Sequence, residues 1–407
     1  MHPSVKLVWC ASIQLALVSL YLILPTPLRA VEEKPGFRES GALIYDAIVQ
    51  GRAIRCVVDT GGMSSTFDAK VCGLSVPQGS RTEKFQTSST IVEMQIIDDI
   101  AVSFNGSPTA VISSQVSDLT VFEEIYGQEI GAIIGIDQLS DHVLSIVDGE
   151  PEISTSIHES FSRTSVTQST YLDRSQPQLP IHLPVYGTHN FTVDTGCNGY
   201  MIITDKLAQA LVRSQRAVFG IEQEIIGYDG THADREIIIQ EIDISGVRFQ
   251  NVPASRGKVN CIGMGLLTHL DLAVDFHNRR VYLDSESSKS VSEFPRNASG
   301  IGFVYVSNET LRIASIRNDS PASRDNVQPG DEVLTIDGKT PVEMSYDDLM
   351  NVVSREGESI HIELRRMGRV HDIDLTLKRN IEYPPTWPMP TVEEPGFLDF
   401  LKKKAEE

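Results

Sequence analysis

A chain of 407 residues can hold about two or three domains, and 41% hydrophobic with 22% charged residues are the proportions of a soluble globular protein. Its 55 acidic against 35 basic residues give a formal net charge of −20, which argues against nucleic acid as a partner. A surface that binds phosphate must attract it, and this charge is read as one that serves solubility.

In chain order, residues 1–30 read as a secretory signal peptide. Lys6 precedes an apolar run from Leu7 to Pro25, and Leu28-Arg29-Ala30 offers a small residue for cleavage. The run is long enough to serve instead as an uncleaved membrane anchor, and both alternatives stand. Either one exports the remainder, to be periplasmic, secreted or anchored. Residues 40–150 read as short strands broken by Gly, Ser and Asp turns. Residues 151–177 are rich in Ser, Thr and Gln without apolar periodicity and read as a linker. Strands resume over 178–284, a polar stretch follows, and a third unit covers 299–379. Residues 380–407, with Pro384, Pro385, Pro388, Pro390 and Pro395, read as an extended tail, with a short helical turn over Leu398 to Lys404.

Beyond the leader stand Cys56, Cys72, Cys197 and Cys261, without the CxxC spacing of zinc or thioredoxin-like sites. Export makes disulfides available. Cys56 with Cys72 is the pair to test, buried free thiols being the alternative. Asn105, Asn190, Asn297 and Asn308 each head an N-x-S/T sequon.

The first two strand-rich units repeat one another. Val57-Val58 leads into Asp59-Thr60-Gly61, and Val193 leads into Asp194-Thr195-Gly196. Gly51 and Gly187 stand upstream, and Ala132-Ile133-Ile134-Gly135 is answered by Cys261-Ile262-Gly263. Leu139 and Leu267 follow, and each unit closes on an apolar strand, Leu144 to Asp148 and Leu272 to Asp275. The shared order marks an internal duplication.

One Asp-Thr-Gly alone is a weak signal, but two at matching positions of a repeat point to chemistry. Two carboxyls held close cannot both ionise cheaply, so they share a proton and titrate as a pair. The ionised member can take a proton from water while its partner donates to a carbonyl. Gly lets backbone N–H groups approach the carboxylate, and Thr can tie one loop to the other. Asp59 and Asp194 are therefore the candidate catalytic residues, with Thr60, Gly61, Thr195 and Gly196 as loop support.

These motifs resemble those of retropepsin-like aspartic peptidases, over roughly 40–150 and 178–284. The stretch from Ile262 to Leu283 looks especially like the closing segment of bacterial members. The resemblance implies a mainly β fold: two β-barrel lobes meeting at a cleft in one chain, as in pepsin. It implies peptide-bond hydrolysis by an Asp-activated water, with no metal, no cofactor and no covalent intermediate. Three departures stand out. Gly62 and Cys197 follow the Asp-Thr-Gly triplets where such enzymes usually carry Ser, Thr or Ala, and a missing hydroxyl there weakens the hold on the carboxylate. Cys261 takes a place that is usually aliphatic. The flaps are hard to place, with Tyr228 and the region Phe85 to Ser89 as candidates and an ordinary turn aromatic as the alternative for Tyr228.

The third unit resembles a PDZ domain, β-rich with two helices. Gly300-Ile301-Gly302-Phe303 and the run Pro329-Gly330-Asp331 to Ile336-Asp337-Gly338 carry the likeness. Gly300, Ile301, Gly302 and Phe303 are the candidate peptide-binding residues, because a Gly-rich backbone can offer N–H groups to a C-terminal carboxylate. Tyr346 to Val353 is predicted as the helix walling the groove, with Leu349, Val352 and Val353 turned to the core. The expected partners are protein or peptide substrates and peptide C-termini. No Gly-x-Ser-x-Gly or His-Glu-x-x-His motif points to another peptidase class. The alternative reading is a catalytically inactive peptide-binding or scaffolding protein that uses both folds as binding modules.

Overall fold

The computed structural model describes residues 42–378 except 88–90, 106–109, 127, 163–165, 171–175, 228–229, 293, 308–309, 319 and 345. The leader over 1–30, the tail over 380–407 and Tyr228 lie outside the described residues. Among the described residues no helix is long and apolar enough to cross a membrane.

The fold is mainly β. The first half holds β1 (Ile44–Val49), β2 (Arg52–Val58), β3 (Thr66–Phe67), β4 (Thr82–Gln86), β5 (Ile91–Phe104), β6 (Ala110–Val116) and β7 (Ala132–Ile134). Next come β8 (Val143–Val147), β9 (Glu150–Ser154) and β10 (Val166–Thr170). The second half holds β11 (Gln178–Leu183), β12 (Gly187–Val193), β13 (Met201–Thr204), β14 (Ala217–Gly227), β15 (Gly230–Ile244), β16 (Val247–Gly257) and β17 (Cys261–Ile262). It is followed by β18 (Asp271–Asp275) and β19 (Arg280–Asp284), and the C-terminal unit by β20 (Ile301–Ser307), β21 (Thr310–Ile316), β22 (Glu332–Ile336), β23 (Ser359–Arg366) and β24 (Arg369–Thr376). The helices are α1 (Ala69–Cys72), α2 (Thr120–Tyr126), α3 (Asp205–Arg213), α4 (Met264–Leu267), α5 (Pro321–Arg324) and α6 (Tyr346–Val353).

The two halves share one topology. The first sheet runs β1-β2-β7-β3-β6-β5-β4 and the second β11-β12-β17-β13-β16-β15-β14, position for position the same order. Extra pairings of β1 with β5 and of β11 with β15 close each sheet on itself. The repeated motifs take equivalent places. Gly51 and Gly187 close the β1–β2 and β11–β12 hairpins at φ of +76° and +77°, a conformation that glycine adopts without steric cost. The apolar strand before each Asp runs parallel to the apolar-Gly segment, Val58 beside Ile134 and Val193 beside Ile262.

A five-stranded sheet, β10-β19-β18-β8-β9, joins the halves. Its centre pairs the two closing strands, Leu144 with Val274 and Ile146 with Leu272. These four side chains are buried in a core that runs through both halves. Val143, Ala273, Tyr282 and Phe161 bury the sheet's other face, which explains why the closing strands read as continuous apolar runs. The stretch 151–177, read from sequence as a linker, includes most of β9, the turn carrying Phe161, and β10. These are edge strands, held by backbone pairing on one side only, so they need little apolar alternation. The Cys56–Cys72 disulfide is not formed. Both thiols are free and buried, Cys56 donating to the Tyr45 carbonyl at 3.3 Å and Cys72 to that of Gly131 at 3.1 Å.

The C-terminal sheet runs β20-β21-β22-β23-β24 around its own core. Leu349, Val352 and Val353 of α6 are buried in it, as the spacing predicts. Asp331, 2% exposed, receives both Nε and Nη2 of Arg366 at 2.6 Å. The pairing holds its carboxyl below the usual range against the upward pull of burial.

Candidate active site

The two Asp-Thr-Gly loops meet face to face. Thr60 and Thr195, both 0% exposed, bind the halves through reciprocal hydrogen bonds. The Thr60 hydroxyl donates to the Val193 carbonyl at 2.6 Å, and the Thr195 hydroxyl donates to that of Val58 at 2.7 Å. Each hydroxyl also accepts the other threonine's backbone N–H, both at 3.1 Å. Each loop is seated the same way on its apolar-Gly segment, with Asp59 N donating to Ile134 O at 2.9 Å and Asp194 N to Ile262 O at 3.0 Å.

This seating brings the Asp59 and Asp194 side chains into direct hydrogen-bonding contact. The glycines show how close the approach is. A Cβ on Gly61 would lie 2.5 Å from Asp194 Cγ, and one on Gly196 would lie 2.6 Å from Asp59 Cγ. Only glycine leaves room for the opposite carboxyl, which gives both Gly residues a steric reason to be there. Burial pushes the Asp59 carboxyl well above the usual carboxylate range, and the Asp194 charge adds to it. Burial pushes Asp194 up to about 6, with Cys197 adding to it. Two adjoining carboxyls with raised affinity for protons share one over the range where a lone aspartate would be ionised.

The two ends of the pair are not held alike. Asp59 Oδ1 accepts the Gly61 and Gly62 amides at 2.8 and 2.9 Å. Asp194 Oδ1 accepts the Gly196 amide at 3.0 Å, while the Cys197 amide turns to the Asp194 main-chain carbonyl at 3.4 Å. The Cys261 side chain lies on this side of the pair and lowers the proton affinity of Asp194.

Two groups near the pair were not legible in the sequence. Tyr126, at the end of α2 and 3% exposed, lies beside Asp59, Asp194, Cys197 and Asn198. Burial pushes its hydroxyl up to about 12. Gln176 donates from Nε2 to the Gly61 carbonyl at 2.8 Å. An aromatic ending a short helix and a glutamine in a polar stretch carry no pattern that marks them. On the flap question, β4 and β5 pair from Gln86 with Ile91, and β14 and β15 from Gly227 with Gly230. Equivalent hairpins therefore occupy the candidate flap regions, with Phe85 on β4 and Tyr228 outside the described residues.

In the C-terminal unit, Gly300, Ile301, Gly302 and Phe303 lead into and form the start of β20, an edge strand of its sheet. The Asn297 carboxamide oxygen accepts the Gly300 amide at 3.1 Å, and the Ser299 hydroxyl accepts the Ile301 amide at 3.1 Å. Those two N–H groups, expected to be free for a carboxylate, are engaged within the chain. Helix α2 packs against β20, so the segment ending in Tyr126 lies between this strand and the neighbourhood of the carboxyl pair. Arg296, 5% exposed, forms a buried ion pair with Glu236 of β15 and fastens the second half to the start of this unit.

Residues 290–365 match the PDZ domain family and form a PDZ domain. The chain is also similar to the carboxy-terminal processing protease CtpA of Bacillus subtilis (strain 168), at 31% identity over 102 residues. That stretch is 24% of this chain and 22% of the relative, so the chain matches under a quarter of that protein's length.

Proposed function

We propose that the chain is an exported aspartic endopeptidase with retropepsin-like lobes over 40–150 and 178–284, and that its PDZ domain recruits the C-termini of substrates or partners. The observation that carries the reading is the carboxyl pair, Asp59 against Asp194, on loops tied together by Thr60 and Thr195. In this mechanism the pair holds one proton. The ionised carboxylate takes a proton from water, the water attacks the peptide carbonyl, and the protonated carboxyl donates to the carbonyl oxygen. Collapse of the tetrahedral adduct then passes a proton to the leaving amine and restores the starting state. Asp59 and Asp194 are partly exposed while the threonines behind them are fully buried, which suits a pair open to substrate on one side only.

The test is cleavage of an unbiased peptide library by the full chain, with inhibition by a statine-type transition-state mimic. The raised pKa values set the pH dependence. At about pH 3 both carboxyls are protonated and no general base exists, so cleavage is weak. It strengthens as the pH approaches about 6, where the first proton leaves, and fades above the second, higher step. An optimum near pH 3 would contradict this assignment. A folded protein that cleaves nothing at any pH would leave the peptide-binding scaffold as the reading.

Recruitment has its own test. A PDZ groove takes an extended peptide as an added strand and holds its terminal carboxylate. In this chain such a peptide competes with Asn297, Ser299 and α2 for the ends and side of β20. Peptides with a free apolar C-terminus should bind about tenfold more tightly than their amidated forms, measured by fluorescence anisotropy. Equal binding of the two forms would remove the carboxylate from the recognition.

A further inference from the structure

We propose that Cys197 and Cys261 form a redox-active dithiol beside Asp194. The reduced pair holds the Asp194 carboxyl in place, and oxidation by a low-molecular-weight disulfide links the two sulfurs and releases it. The effect on catalysis rests on the aspartic-peptidase reading; the formation of the disulfide does not.

The placement follows from the fold. Cys197 is the residue after the second Asp-Thr-Gly, and Cys261 opens β17, which runs parallel to the strand leading into that loop. The register sets Thr192 beside Cys261 and Val193 beside Ile262, so the second cysteine stands level with the entrance to the loop. The Met264 amide donates to the Cys197 carbonyl at 2.7 Å and pins the two segments together. Cys197 Sγ sits where a side chain at position 263 would be: a Cβ on Gly263 would lie 2.7 Å from it. The Gly199 and Cys197 carbonyl oxygens would be nearer still, so glycine at 263 makes room for the loop backbone as well as for the sulfur. Positions 261 and 263 face the same side of the extended segment, so the Cys261 side chain lies on the side that Cys197 Sγ occupies. Each thiol bears on the other's proton affinity and on that of Asp194. Both are free.

The other buried cysteines show the contrast. Cys56 and Cys72 donate to separate main-chain carbonyls and have no sulfur partner in those bonds. At 197 and 261 an attacking and a resolving thiol stand together, with Cys197 partly exposed and Cys261 1% exposed behind it. Cys261 also lowers the proton affinity of Cys197 and so favours its thiolate, the form that attacks a disulfide.

The steps balance as ordinary thiol–disulfide exchange. The Cys197 thiolate attacks one sulfur of an oxidant R–S–S–R, forming a mixed disulfide and expelling RS⁻, which takes up the proton that Cys197 lost. The Cys261 sulfur, giving up its proton, then displaces the second RS⁻, which becomes RSH. Two protein thiols are oxidised, one oxidant disulfide is reduced, and two RSH leave. Closure sets the sulfurs about 2.0 Å apart. The Cys261 S–H is then gone, and Asp194 Oδ1 keeps the Gly196 amide.

The experiment treats the full chain with oxidised glutathione and maps the peptides without reduction. The expected product is one Cys197–Cys261 cross-link, with Cys56 and Cys72 still titrating as thiols after denaturation. Cleavage should fall about tenfold or more and return with dithiothreitol, as expected for loss of a hydrogen bond to a charged group. Cys197→Ser should make the rate indifferent to the oxidant. Cys261→Ser should keep a donor to Asp194, whereas Cys261→Ala should shift the acid limb of the pH profile. Carbon-13 titration of the Asp194 carboxyl, reduced against oxidised, reads the same hold without any activity. Absence of the cross-link, or a cross-link that moves neither rate nor titration, overturns the proposal. A chain that cleaves nothing yet shows both cross-link and shifted titration sinks only the peptidase reading.

Discussion

Asp59→Asn is expected to lower kcat/KM by roughly 10³-fold or more while leaving the protein folded, and Asp194→Asn to do the same. The asparagine oxygen can accept the Gly61 and Gly62 amides that now hold Asp59 Oδ1, so the loop keeps its bonds. What is lost is the shared proton, since an amide neither ionises nor donates an acidic hydrogen. The same variant should gain stability with rising pH relative to its parent. The pair's folded pKa values are raised above those of an unfolded aspartate. Its contribution to stability is thus fully present below the unfolded pKa and is lost as pH rises through the folded values. Removing the Asp59 carboxyl removes its share of that loss. Thermal melting should give equal Tm values for the two proteins at about pH 3 and a higher Tm for Asp59→Asn at about pH 8. A variant that retains activity, or that is less stable at the higher pH, would show that the carboxyls do not act as a pair.

The second large effect is expected at the threonines behind the pair. Thr60→Val removes the donor to the buried Val193 carbonyl and the acceptor of the Thr195 amide. Two buried main-chain groups are left without partners, each costing about 1–3 kcal/mol, so the loss should be roughly 2–6 kcal/mol. Urea unfolding should show it as a lower midpoint with an unchanged slope. Thr195→Val should match it, because the Val58 carbonyl and the Thr60 amide are its mirror partners. Thr60→Ser should recover most of the stability, since it keeps the hydroxyl. The double variant should lose less than the sum of the single losses, because the hydroxyls belong to one network. A change below about 0.5 kcal/mol in both single variants would mean that the five-stranded sheet alone holds the halves together.

The duplication, the mainly β fold and the identity of the meeting residues were legible in the sequence. Each depends on local pattern: an apolar strand before Asp-Thr-Gly, an apolar-Gly segment after it, an apolar closing strand. Strands buried on both faces, such as β8 and β18, announce themselves because every position must be apolar. The PDZ domain was legible for a similar reason, through its glycine loop and the apolar spacing of α6. The edge strands β9 and β10 were not, since a strand paired on one side can be made of polar residues.

The sequence by itself determined that two aspartates occupy equivalent places in a repeat, because equivalence is a matter of order along the chain. Only the tertiary structure decided what surrounds them. Cys197 and Cys261 are remote in sequence and share no spacing motif, yet the fold brings both to Asp194, while the thiols of Cys56 and Cys72 are engaged by separate main-chain carbonyls. Tyr126 comes to the carboxyl pair on a helix of ordinary composition. Asn297 reads as a sequon, and its carboxamide instead closes the PDZ loop. Contacts between residues far apart in the chain are set by register and packing, and no local pattern of residues encodes them.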